Sequence, residues 1–160
     1  MELSELVLPY QVFMAATFVV VLWKGDAPER LGVASIVAMA AYQLTMERIV
    51  PSQFTSVDVA SLGADIIGFI CFGTLALYAR RIWPLWAAAL QLLCLSAHFA
   101  RWASLSVSRE AYALIRGAPT ASILILMLGA TILCIASRRR GETDPPWQDW
   151  AAISRKRGKL

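Results

Sequence analysis

Charge is scarce in this chain: 16% of its 160 residues are Asp, Glu, Lys or Arg and 58% are hydrophobic, against about 25% charged and about 45–50% apolar in ordinary soluble domains. So little charge excludes a water-solvated surface, and the mean hydropathy of +0.59 agrees. Histidine occurs once, as His98, which is too few ligands for a metal centre. Cysteine occurs three times, as Cys71, Cys94 and Cys134, each inside an apolar block. An odd number at such spacing excludes a disulfide framework and reads as small buried hydrophobes. The sequence holds no G-x-S-x-G, H-E-x-x-H, Walker loop or C-x-x-C. An intramembrane aspartyl enzyme would need a second buried acid, yet Glu47 and Asp58 fall at the ends of apolar stretches. The expectation is therefore no enzyme, no cofactor and no metal. The opening MELSELVLPY places Glu2 and Glu5 where a secretory signal carries basic residues, which predicts no cleavable signal. The alternating ten-residue segments of a membrane β-barrel are missing as well.

Long apolar stretches are what the chain does have. About 20 residues at about 1.5 Å each cross the roughly 30 Å hydrocarbon core of a bilayer. Five stretches meet that length, at residues 6–23, 30–49, 57–79, 82–100 and 119–137. Pro9 falls in the first turn of the first stretch, and Asp26 with Glu29 three residues on has capping-box spacing before the second. The turn around RRIWP is so short that the third and fourth stretches must form an antiparallel hairpin, with Pro84 opening the fourth. Gly117 and Pro119 interrupt the fifth apolar region, so residues 109–118 are expected as an interfacial or kinked extension of the 119–137 span. The fold predicted is an all-α polytopic membrane bundle of five transmembrane helices over residues 1–137, followed by a basic tail at 138–160.

Basic residues orient that bundle. Seven of the fifteen Lys and Arg lie in the last 23 positions, so the net charge of +4 reads as a topology signal and not as a nucleic-acid surface. With the amino terminus outside, the inner segments carry Lys24, Arg30, Arg80, Arg81 and the whole basic tail, whereas the outer ones hold Arg48, Arg101, Arg109 and Arg116. Positive charge is retained on the cytoplasmic side, which predicts a cytoplasmic carboxyl terminus. Trp23, Tyr78, Trp83 and Trp86 then fall at the inner boundary, and Tyr10, Trp102 and Tyr112 at the outer one, as amphipathic rings prefer.

Within the apolar stretch VDVASLGADIIGFICFG stands one carboxylate, Asp65. An ionised acid there costs about 2.5–3.5 kcal/mol on insertion scales, so it should face the bundle interior. Ala60, Ala64 and Gly68 repeat on the same helix at four-residue spacing, a pattern that admits a second helix closely. His98, Arg101, Arg116, Gln43 and Glu47 share the outer layer with Asp65 and form with it a candidate polar cluster. Asp65 beside His98 or Arg116 would make a charge-assisted pair, and such a pair more often ties helices together than conducts.

The tail RRRGETDPPWQDWAAISRKRGKL is a candidate lipid- or partner-binding element. Arg138, Arg139 and Arg140 read as a stop-transfer and headgroup cluster. After Pro145 and Pro146, Trp147, Trp150, Ala151 and Ser154 recur at helical spacing ahead of Arg155, Lys156 and Arg157. Such a segment is expected to lie on the inner leaflet or dock on a partner.

Residues 80–117, RRIWPLWAAALQLLCLSAHFARWASLSVSREAYALIRG, carry a W-P-L-W opening, a Q-L pair, a histidine and a later A-Y-A. In these features the segment, about a quarter of the chain, resembles small uncharacterised multi-pass inner-membrane proteins of alphaproteobacteria. The resemblance implies a bacterial inner membrane and brings no activity, cofactor or site residue. The function expected is a non-enzymatic membrane accessory or interaction protein, with the lipid bilayer and a membrane-protein partner or homo-oligomer as partners. The alternatives are a small oligomeric transporter or channel using Asp65 and His98, and a holin-like permeabilising protein.

Overall fold

Gly25 and Asp26 break the first apolar stretch and residues 79–82 break the third, and in the computed structural model these breaks separate long helices. The helices are α1 (Leu3–Lys24), α2 (Ala27–Ile49), α3 (Val59–Tyr78), α4 (Trp83–Trp102) and α5 (Arg109–Arg139). The structure describes residues 3–49, 58–103, 109–142, 145–150 and 154–155, with the side chains of 3–7, 101 and 109–118 left aside. The chain is all-α, with one isolated antiparallel bridge among the described residues.

Each helix end has a local cause. Asp58 caps α3, its carboxylate accepting from the Ala60 N–H at 3.1 Å and from the Ser61 hydroxyl at 2.7 Å. Gly141, at φ 76°, ends α5 in a Schellman motif: Glu142 N donates to the Ser137 carbonyl and Gly141 N to the Arg138 carbonyl, both at 3.1 Å. The reading of α1 needs correction, because the helix starts at Leu3, three residues before the expected start of the first span. Pro9 is therefore interior and not in the first turn. Pro119 is likewise inside α5, which runs unbroken for 31 residues, or about 46 Å. Residues 109–118 thus belong to the fifth helix.

Three helical segments are long and apolar enough to cross a membrane, Val59–Tyr78, Trp83–Ala100 and Pro119–Arg139, with a shorter apolar segment at Leu8–Lys24. α2 carries Glu29, Arg30, Glu47 and Arg48 near its two ends and is rich in small residues, which lowers its hydropathy. α3 packs most extensively on α4 and α2, while α5 joins the bundle chiefly through α4 and α1. The core draws on all five helices: Val21, Val33, Phe72, Trp83, Leu124 and Met127 are buried together. Phe72 meets Trp83 edge-on at 6.2 Å between ring centres. Most of these residues lie toward the bundle end that holds both short turns, called here the short-turn end.

The small residues of α3 sit at the tightest contacts. Ala60, Ser61, Ala64 and Gly68 are buried. A Cβ on Gly68 would lie 2.7 Å from Met39 Sδ of α2 and 2.9 Å from the amide carbon of Gln91 of α4, and one on Gly63 would lie 2.3 Å from Tyr42 Oη. Close backbone approach is the use of the stripe.

Candidate functional site

Two polar constellations stand inside this apolar framework. The first grows out of the α1–α2 turn. Glu29 is the third residue of α2, and its carboxylate reaches back to the Asp26 N–H at 3.1 Å, one half of a capping box. The other half is given up, because the Asp26 side chain turns to partners from distant helices. Arg81, in the α3–α4 turn, reaches Asp26 Oδ2 at 2.9 Å. Arg138, at the end of α5, pairs with Asp26 Oδ1 and donates to the Lys24 carbonyl at 3.4 Å, satisfying an open carbonyl of α1. The Cys134 thiol donates to Asp26 Oδ2 at 2.9 Å. Glu29 is fully buried, accepts the Trp83 indole N–H at 3.0 Å, and lies 3.7 Å from Arg81 Nε, an ionic contact too long for a hydrogen bond.

Two acids and two guanidinium groups thus form a knot that touches every helix but α3, whose end it reaches through the α3–α4 turn. Burial, the largest single influence, pushes the Asp26 carboxyl up. The Cys134 thiol, Arg81 and Arg138 together outweigh it and hold the group below its ordinary value. Asp26 and Arg81 are partly buried and Arg138 is half exposed, so solvent screens the knot and each ion pair in it contributes less than a fully buried one would. None of these residues stood among the expected site residues except Arg138, which was expected to bind headgroups. Cys134 was expected to be a mere hydrophobe and is instead a thiol donor.

The second constellation joins α3 to α4. His98 Nε2 lies 3.0 Å from Asp65 Oδ2, with the His98 side chain 2% and the Asp65 side chain 14% exposed. Their pairing is the contact between helices that the expected polar cluster makes among the described side chains. Gln43 and Glu47 are brought together, but on one exposed face of α2, where Gln43 Nε2 donates to Glu47 Oε1 at 2.9 Å, and not between helices. Arg101 and Arg116 lie outside the described side chains. Below His98 on the same face of α4, Gln91 is 1% exposed; its Nε2 makes only a weak contact to Met39 Sδ at 3.8 Å and its Oε1 has no hydrogen-bond partner.

The tail departs from the helical spacing of its tryptophans. Trp147 is not helical but forms the antiparallel bridge with Ala79. Arg80 N donates to the Pro146 carbonyl at 2.9 Å and Gln148 N to the Tyr78 carbonyl at 2.8 Å. The open carbonyl at the end of α3 and the free N–H of the turn are thereby satisfied, which a tail helix starting at Trp147 could not do. Trp150 and Arg155 are exposed, and Lys156 and Arg157 lie outside the described residues. Arg139 and Arg140 are exposed, with Arg140 paired to Glu142 at 3.2 Å.

Between α4 and α5, against the knot, lies a cleft of about 760 Å³. Its apolar wall includes Trp86, Ile125, Leu126, Gly129 and Leu133, and its mouth holds Arg80, Arg81, Arg138 and Asp26. None of the three cysteines is in a disulfide, and among the described residues no group of three His, Cys, Asp or Glu side chains could hold a metal. No family model, curated protein or solved structure matches the chain.

Proposed function

We propose that this chain is a five-span integral protein of the bacterial inner membrane, amino terminus outside and carboxyl terminus cytoplasmic, which acts without catalysis as an accessory or interaction protein. The observation that carries the reading is the use made of its interior charges. Asp26 joins α5 to the α3–α4 turn, and Asp65 joins α3 to α4 through His98. These acids are engaged in holding helices together, as expected of a scaffold that offers outer surfaces to a membrane-protein partner or to further copies of itself. The clustering of basic residues at the short-turn end supports the orientation, and the alphaproteobacterial resemblance supports the membrane assigned.

A second reading, a small oligomeric transporter or channel, is favoured by the unpartnered Gln91 Oε1 in the α3–α4 seam that also holds Asp65 and His98. A buried acceptor without a donor favours water beside it, and water there would lengthen the polar column. Asp65→Asn separates the two readings. For a scaffold, the variant should lose about 1–3 kcal/mol of stability and proteoliposomes of either form should carry no proton or ion flux. Flux in the wild type that disappears in a well-folded Asp65→Asn protein would establish transport instead.

A further inference from the structure

The cleft between α4 and α5 has the shape and charge of a site for one kind of molecule. Its wall is apolar over the α5 residues from Ile125 to Leu133, two turns or about 12 Å of helix. Ile125, Leu133 and Trp86 are themselves strongly exposed, so the cleft opens sideways to the surrounding medium and not into the bundle. Its depth comes from Gly129, where an added Cβ would meet nothing within 4 Å. At the short-turn end the apolar wall gives way to three arginines. Arg81 and Arg138 are matched by the carboxylates of Asp26 and Glu29, and Glu142, also at the mouth, is already paired with Arg140. The guanidinium of Arg80 is exposed and has no carboxylate partner among the described residues. Positive charge is therefore in excess where the wall ends. The volume of about 760 Å³ lies in the range of ligand-binding clefts, roughly 300–1,000 Å³.

We propose that this cleft binds an anionic phospholipid of the inner leaflet, its acyl chain laid along Gly129 and Trp86 and its phosphodiester at Arg80 and Arg138. A cation at the mouth selects the anionic headgroup over a zwitterionic one, whose own ammonium would be brought against the arginines. The open side lets the lipid enter from the bilayer plane without any helix parting from its neighbours. This inference rests on the membrane placement proposed above, with the short-turn end at the inner surface.

Native mass spectrometry of the full chain in detergent with equimolar phosphatidylglycerol and phosphatidylcholine tests it. The wild type should retain phosphatidylglycerol with about fivefold preference, the size of one arginine's contribution near a lipid surface. Arg80→Gln, which breaks no side-chain hydrogen bond or ion pair among the described residues, should abolish that preference, and Gly129→Leu, which narrows the cleft, should lower retention of both lipids. Unaltered helical circular dichroism and a single elution peak show that both variants are folded. Equal retention of the two lipids by the wild type, or a preference that survives both substitutions, overturns the proposal. So does displacement of the bound lipid by excess inorganic phosphate, which would mark a site for a free anion. If only the orientation is wrong, a reporter after Leu160 is active outside while the lipid preference persists.

Discussion

Asp26 accepts from two arginines and a thiol, and that crowding makes it the acid-sensitive point of the fold. Its folded pKa lies below the ordinary 3.8, so the carboxylate's contribution is present above that value and is lost as pH falls through the lowered folded pKa. Thermal stability of the detergent-solubilised protein should therefore fall as pH drops below about 4. Asp26→Asn should be less stable at neutral pH and show a flatter acid limb. An acid limb of the same steepness in the variant would remove Asp26 from this role. At this scale the sequence exposed Asp65 and His98, because a charge within a long apolar run announces itself. Asp26, Glu29 and Arg81 were hidden because each lies in a turn or first helical turn, where charges are ordinary; nothing local distinguishes a cap from the centre of a knot. The one available signal was positional, since both short turns and the end of α5 fall at the same end of an antiparallel bundle.

Helix packing here depends on where a side chain is missing. Gly32 of α2 faces Trp83, whose ring is held by the hydrogen bond to Glu29, and a Cβ there would lie 2.6 Å from the ring and 3.2 Å from Met127. Gly32→Ala should lower stability by about 1–3 kcal/mol, since a tethered indole cannot withdraw. Gly73→Ala, whose Cβ meets nothing within 4 Å, should be neutral or gain up to about 1 kcal/mol from better helix propensity. Unfolding of both variants in a denaturing-detergent titration measures the contrast, and equal costs would contradict the packing described. Existence and order of the helices were legible from apolar length alone. Their ends were legible where a cap had a sequence signature, as at Asp58. Pro9, expected in a first turn, lies inside α1, whereas Pro119, expected at the start of a span, does head the apolar segment Pro119–Arg139 of an α5 that begins at Arg109. The helical spacing misled at Trp147 because open backbone groups at the end of α3 claimed it for an isolated bridge, while Trp150, Ser154 and Arg155 are helical.

For the molecule as a whole, the decisive quantity is the side on which its basic end rests. If the proposed orientation holds, a fluorescent protein fused after Leu160 should glow and a phosphatase there should stay inactive. Phosphatase activity there would reverse the bundle. The three strongly apolar helices were as plain in the sequence as in the structure, and α2 less so, because a helix lined by small residues and wedged against α3 need not be very apolar to be buried. The knot also sets an order of events in synthesis. Asp26 and Arg138 are 112 residues apart, so the first turn gains its last counter-charge only when the final helix has emerged from the ribosome. A product truncated before α5 would leave its opening hairpin loosely latched, and cellular proteases would meet it in a form the finished protein never presents.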